Sequence, residues 1–297
     1  MQLFQCVPNF SEGRDRAVID ALVAAASGER LHVVDASADE DHHRCVITLV
    51  GEGAALVDVA LRMAAVAVER IDLRRHHGAH PRMGALDVLP FVPLTDSGAT
   101  MAEAVALSRR AGERIAAEIG VPVFLYEEAA TRPDRRNLAT VRGNGFEAMA
   151  AQRIAADYGP DCVHPSAGAT AVGARGPLLA FNVWLRSDDI AIAREIAAVV
   201  RERDGGLPGV KALGLALASR GCVQVSMNLT RPAETSLLAA FDAVQREAAS
   251  RGVAVRRSEL IGACRLADVL PAAGDRLAGE IGGAQVLDLA IAELRGG

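Results

Sequence analysis

The chain has 297 residues, 51% of them apolar and 23% charged, with a formal net charge of −5. That length accommodates two ordinary domains, and that apolar content excludes a globally disordered polymer. An acidic balance with no basic block argues against nucleic acid as a partner.

In chain order, MQLFQCVPNFSEGR has neither the cationic start nor the apolar run of a secretory signal, and its LFQCVPNF portion predicts a short strand that Pro8 helps to stop. DRAVIDALVAAAS predicts an amphipathic helix with Ala17, Val18, Leu22 and Val23 along one side. LHVVDAS and RCVITLVG are β-branched runs separated by the acidic ADEDHH. AALVDVALRMAAVAVERI predicts a second helix, and Asp58 and Arg62 interrupt it too early for a membrane span. ALDVLPFVPL then alternates as a strand, which completes a β-α-β-β-α-β, ferredoxin-like order. A helix, TMAEAVALSRRAGERIAAEIG, and a strand, VPVFLY, extend this half. Residues 128–175 have weak periodicity and predict a short helix over 145–157 inside a long connection.

The second half repeats the order. PLLAFNVWLR is a strand, and SDDIAIAREIAAVVRER is a helix with Ser187 as its N-cap and Asp188 and Asp189 at its positive end. VKALGLALA and CVQVSMNL form a hairpin through SRG. ETSLLAAFDAVQREAASRG is a helix ending at Gly252, and VAVRRSELIG is the last strand. RLADVL and LAGEIGGAQVLDLAIAEL predict terminal helices. The expected architecture is α/β (α+β): two ferredoxin-like subdomains, residues 1–175 and 176–297, forming α/β sandwiches with a ligand cleft between them. Five scattered cysteines with no C-x-x-C fit a reducing, cytoplasmic setting.

The chemistry-bearing segment is HHGAHPRMGALDVLPF, residues 76–91. One reading is a metal site, since His42, His43, His76, His77 and His80 fall close together with Asp39 and Asp41 nearby. H-E-x-x-H is absent, however, and Gly78 and Pro81 spoil a helical His pair, so no metal is expected. Another is acid–base catalysis, in which a histidine titrates near neutrality, Pro81 stiffens the backbone, Arg82 clamps a carboxylate and Asp87 orients a ring nitrogen or a ligand amine. A third is a turn shaped by Gly78, Pro81 and Gly84. In GATAVGARG, residues 168–176, Ala174 and Arg175 stand where a phosphate loop needs Lys and Ser or Thr. That leaves a loop that approaches a ligand closely or one that crosses between domains.

CVPNFSEGR (6–14), DHHRCVITLVG (41–51) and HHGAHPRMGALDVLPF (76–91) closely resemble hallmark segments of the glutamate formiminotransferase family. The likeness continues in HPSAGATAVGARGPLLAFNVWL (164–185), GVKALGLAL (209–217) and VQVSMNLT (223–230). The resemblance implies transfer of a formimino group from N-formimino-L-glutamate to N5 of tetrahydrofolate, a co-substrate, in histidine degradation. His80 is then the implied general base. Arg44, Arg82 and Arg175 are candidates for the donor's carboxylates. Asn9, Asp35, Asp41 and Asp87 are candidates for the pterin edge, and Gly168, Ala169 and Thr170 for a close-approach loop. A homodimer is also implied. The sequence departs from the family at His43 (usually Asn), Ser37 (an Asp in some members) and Ala79 (often Glu), with Asp39 and Asp41 available to compensate. The chain stops where bifunctional members continue into a cyclodeaminase. Competing expectations are a formyl donor on the same folate nitrogen, folate binding without turnover, and a metal-dependent hydrolase.

Overall fold

The computed structural model describes residues 1–269 together with 287, 288 and 291. The chain divides after Arg175 into two compact units. The first contains β1 (Phe4–Cys6), β2 (Asn9–Phe10), α1 (Arg16–Ala25), β3 (Leu31–Asp39), β4 (Arg44–Gly51), α2 (Gly53–Arg70), β5 (Leu86–Pro93), α3 (Met101–Arg114), β6 (Val123–Glu127), α4 (Leu138–Arg142), α5 (Phe146–Ala150) and β7 (Thr170–Ala174). The second contains β8 (Leu179–Leu185), α6 (Ile190–Val200), β9 (Val210–Leu217), β10 (Cys222–Leu229), α7 (Leu237–Ser250), β11 (Val255–Ile261) and α8 (Leu266–Val269).

In the first unit β1 and β2 form one interrupted strand between β4 and β5, antiparallel to both. The interruption, Val7–Pro8, lies opposite Leu89 and Pro90, so two prolines without N–H groups meet where the ladder is already broken. β3 pairs antiparallel with β4 on its outer side, which gives the ferredoxin-like spatial order. β5 then continues the sheet in parallel to β7, and β7 to β6. All eight residues of β5 are buried, so its sequence alternation marks two covered faces rather than one wet and one dry. α1 and α2 put Leu22, Leu56, Met63 and Ala60 into the core beneath this sheet.

The stretch expected as a connection differs most from expectation. The GATAVGARG segment contributes strand β7, between β5 and the edge strand β6, and the helix expected over 145–157 is shorter, with α4 added before it. Small residues explain the missed strand: Gly84 and Gly168 face each other across an isolated bridge, and a Cβ on Gly84 would stand 2.0 Å from the Ala169 carbonyl. Gly168 also adopts φ 72°, which suits glycine. The long connection is tied down by Asp157, which accepts hydrogen bonds from Thr131, Arg135 and the Leu125 N–H.

The second unit has the sheet order β11-β8-β10-β9, all antiparallel, which is the same split arrangement as the first. α6 and α7 cover one face, with Ile196, Phe241 and Val244 packed on Phe181, Val183 and Val225. The N-cap of α6 is Asp189, whose Oδ1 accepts the Ala191 N–H at 2.8 Å. Ser187 instead accepts from the Asp189 N–H at 3.1 Å, one step before the cap. α7 starts at Ser236 as N-cap and ends before Gly252 at φ 70°. Within the expected RLADVL helix Leu266–Val269 form the short α8, and the final expected helix lies largely outside the described residues. No described helix is long and apolar enough to cross a membrane.

Candidate active site

Three adjacent strands of the first unit bring a polar group together. Asn9 on β2 is level with Val46 of β4 and Val88 of β5, so it lies between Arg44 and Asp87. The Arg44 guanidinium donates through Nε (3.0 Å) and Nη2 (2.7 Å) to Asn9 Oδ1, and through Nη1 to Asp87 Oδ2 at 2.8 Å. Asn9 Nδ2 donates to the Val7 carbonyl, which fixes the amide's orientation. Asp87 is wholly buried. Its Oδ1 accepts the Met83 N–H at 2.7 Å, and its Oδ2 accepts a second guanidinium, Nη2 of Arg142, at 2.7 Å. Burial pushes this carboxyl up, but Arg142, Arg44 and the Met83 N–H outweigh it and hold it well below the usual carboxylate range.

His80 stands at this cluster on the loop before β5. Its Nδ1 lies 2.8 Å from the Pro81 carbonyl and 3.2 Å from Arg44 Nη1. A single nitrogen cannot donate to one and accept from the other. Arg44 Nη1 already has Asp87 as a closer acceptor, so the Nδ1–H goes to Pro81 and the Nε2 lone pair is left to accept a proton. Burial, then the charges of Arg44 and Arg142, keep the imidazole well below its ordinary pKa, with Asp87 and the Pro81 carbonyl opposing. This is a neutral ring with one open basic nitrogen near neutrality, the requirement for a general base.

The other histidines do not converge. Among the described residues, no group of three or more His, Cys, Asp or Glu side chains could hold a metal ion. His42 has its ring 6.1 Å from that of His80, tilted by 55°, and Asp39 Oδ1 accepts the His42 N–H. His43 occupies φ 51°, a left-handed position that Asn tolerates better, and its ring stacks on His76 at 4.0 Å. His43 Nε2 lies 3.1 Å from Glu12 and its Nδ1 3.2 Å from the His77 carbonyl. His76 donates from Nε2 to the His43 carbonyl at 2.7 Å, and burial lowers its pKa to about 4. These contacts lock the 76–80 loop onto the β3–β4 turn, and the Ala79 N–H donates to the Asp41 carbonyl.

Of the expected site residues, Asn9, Arg44, His80 and Asp87 assemble. Asp41 lies in the adjoining turn, and Asp35 lies on the outer strand β3. Arg82 makes a two-pronged pair with Glu147 on α5 and also donates to the Leu73 and His76 carbonyls. Gly168, Ala169 and Thr170 are bound into the sheet. The first two donate their N–H groups to the His164 and Met83 carbonyls, and the Thr170 hydroxyl donates to Leu86 at 2.8 Å. Arg175 is not in the cluster. Register puts Asp87 level with Thr170 and Arg175 five residues further on, roughly 16 Å at the rise of a strand. There Arg175 hydrogen-bonds Tyr126, whose phenol burial pushes up to about 12. Arg142, Glu147 and Glu12 were not foreseen. Arg142 and Glu147 lie in the weakly periodic stretch, with nothing local to mark them. Glu12, inside CVPNFSEGR, could have been found from its place three residues before Asp15, the N-cap of α1.

Residues 3–175 match the family model described as the formiminotransferase domain, N-terminal subdomain, and residues 180–278 match the formiminotransferase domain. The chain belongs to the formiminotransferase family. This family member is 47% identical over 266 residues to the glutamate formimidoyltransferase of Streptococcus pyogenes serotype M1, a match covering 88% of each chain. Its identity to the glutamate formimidoyltransferase of Thermoplasma acidophilum is 43% over 269 residues, again 88% of each. With the formimidoyltransferase-cyclodeaminase of Sus scrofa it shares 41% identity over 282 residues, 92% of this chain but 52% of that protein. It therefore spans about half the length of the bifunctional relative.

Proposed function

We propose that the chain transfers the formimino group of N-formimino-L-glutamate to N5 of tetrahydrofolate, giving L-glutamate and 5-formiminotetrahydrofolate. The observation that carries this reading is His80 with Nδ1 2.8 Å from the Pro81 carbonyl and no hydrogen-bond partner at Nε2 among the described residues, in a chain whose relatives bear the name glutamate formimidoyltransferase. N5 attacks the formimino carbon and His80 Nε2 takes the N5 proton as the new C–N bond forms. The tetrahedral centre then collapses, the bond to the glutamate nitrogen breaks, and the imidazolium returns the proton to that nitrogen. One base–acid serves both steps, and the balance needs no further reactant.

Within this reading Arg44 and Asn9 act by holding the site, because the strands already use their groups. Arg82 meets a donor carboxylate by exchanging it for Glu147, whose side chain is 65% exposed. Asp41 and Asp35 are the proposed acids for the pterin edge. Tetrahydrofolate is the co-substrate, and the enzyme works as a cytoplasmic homodimer, which light scattering of the purified chain would check.

The test is glutamate release from N-formimino-L-glutamate with and without tetrahydrofolate, in the wild type and in His80→Ala. Release that requires tetrahydrofolate and falls by roughly 10²-fold or more in His80→Ala is the expected result. Folate-independent release would overturn the transferase, and undiminished turnover in His80→Ala would overturn the base.

A further inference from the structure

Arg142 is a polar group beside His80 whose role the proposed chemistry does not explain. It ends α4, a helix of five residues, yet its guanidinium reaches 55 residues back in sequence to the wholly buried Asp87. It shares Oδ2 of that carboxylate with Arg44, which already satisfies the ion pair at 2.8 Å. One carboxylate therefore carries two guanidiniums in a buried setting, and the second is not needed to neutralise the carboxylate. The neighbouring helix makes a parallel attachment: Glu147 on α5 pairs with Arg82, and the Phe146 N–H donates to the Arg82 carbonyl at 3.1 Å. Thus the 138–150 segment holds the chain at two points just after His80, namely Arg82 and Asp87.

We propose that Arg142 is a positioning residue for His80: it completes a two-arginine clamp on Asp87 that fixes Arg44 beside the imidazole and leaves net positive charge around the ring. The groups facing His80 are Arg44 from β4, Asp87 from β5, Arg142 from α4, His42 from the β3–β4 turn with Asp39 behind it, and the Pro81 carbonyl of its own segment. The two guanidiniums outnumber the one carboxylate that they share. That excess disfavours the imidazolium, so the ring stays a free base at neutral pH and gives up quickly whatever proton it accepts. Arg142 touches no reacting atom in this scheme and acts through Asp87 and Arg44.

The inference rests on the proposed function only in taking His80 as the base, and its test does not require turnover. The imidazole of His80 is titrated by NMR in chain labelled at histidine, with the resonance assigned by its loss in His80→Gln. In the wild type the midpoint is expected below the ordinary histidine value of 6.5. In Arg142→Gln it moves up by roughly half a unit to one unit, as loss of one nearby like charge requires. The acid limb of kcat/KM then shifts to higher pH by the same amount, while activity near pH 8 is retained. Arg142→Lys keeps the charge, and its midpoint stays with the wild type. An unchanged midpoint in folded Arg142→Gln would reduce Arg142 to a structural tie and overturn the proposal. So would a wild-type midpoint at or above 6.5, or a displaced midpoint in Arg142→Lys, and these two arms hold even if Arg142→Gln fails to fold. Absence of formimino transfer with the midpoints behaving as described would refute the functional reading alone.

Discussion

The two units share one strand order and differ in what they bury. In the first, a carboxylate, two guanidiniums, an amide and an imidazole are enclosed around Asp87. In the second, the equivalent antiparallel sheet carries Trp184, flanked by the Arg220 and Arg257 guanidiniums at 4.8 and 4.9 Å, while Glu259 accepts from Trp184 and Asn182. Ion pairs of the second unit such as Arg231–Glu202 and Arg251–Glu195 lie at partly exposed positions. The lesson is that the split β-α-β-β-α-β scaffold is neutral as to chemistry. Three scaffold strands of the first unit, β2, β4 and β5, supply Asn9, Arg44 and Asp87 to the candidate site, and the loop before β5 and α4 add His80 and Arg142, at the cost of burying charge that must stay paired.

The largest effect should come from removing the acid that pairs the buried charges. Asp87→Ala leaves two guanidiniums without their partner and should cost about 3–5 kcal/mol, measured by urea unfolding. Glu259→Ala in the second unit removes hydrogen bonds to a less enclosed carboxylate and should cost about 1.5–3 kcal/mol. Equal costs would erase the contrast between the units.

Gly84→Ala should come next, at about 1–3 kcal/mol by thermal unfolding, because its Cβ meets backbone rather than a flexible side chain. Gly98→Ala, at φ 83° with nothing within 4 Å, carries only the left-handed penalty of about 1 kcal/mol. If the two cost the same, the close approach of the strands at Gly84 is not what excludes a side chain there.

Acid should act on the first unit through two groups of its turn. His76 is depressed from 6.5 to about 4 by burial, so the unfolded chain binds the proton first and stability falls as pH drops from 6.5 toward 4. Burial pushes Glu12 up, but the His43 hydrogen bond and the backbone N–H groups of Asp15 and Arg14 outweigh it and hold it at about 2 instead of 4.5. Its contribution is present above 4.5 and is lost as pH falls through 2. Glu12→Gln should flatten the lower window and leave the upper one intact in a series of thermal midpoints. A loss of slope above pH 5 in that variant would contradict the assignment.

The smallest effect should be the one that does not distinguish the units. Thr100 caps α3 in a full capping box with Glu103, and Ser236 caps α7. Either change to Ala should cost about 1 kcal/mol, since helix caps are local.

Much of this molecule was legible from residue order. Period-2 and period-3.6 runs located the strands and long helices of both halves, because amphipathic patterns record which face is buried. HHGAHPRMG marked the catalytic candidate by residue type. The failures fall where the pattern is weak or two-sided. β7 was hidden because a strand covered on both faces and built from Thr, Ala, Val and Gly shows no alternation. Arg175, a candidate for the donor's carboxylates because it lies in a matched segment, follows β7 five residues beyond the level of Asp87, a separation that only the parallel register with β5 shows. The close backbone approach at Gly168, where a Cβ would stand 2.1 Å from the Met83 carbonyl, comes from strand packing that no local pattern shows.

By itself the sequence determined the α/β class, the repeated strand order, the helix caps within a residue or two, and the segment bearing His80. Those features are local, set by periodicity and capping over a few residues. Only the tertiary structure decided the partners: Asp87 with Arg44 across 43 residues and with Arg142 across 55, and Arg82 with Glu147 across 65. Pairings at such separations depend on strand order, register and helix docking, and no local pattern encodes which of several arginines will reach one buried carboxylate.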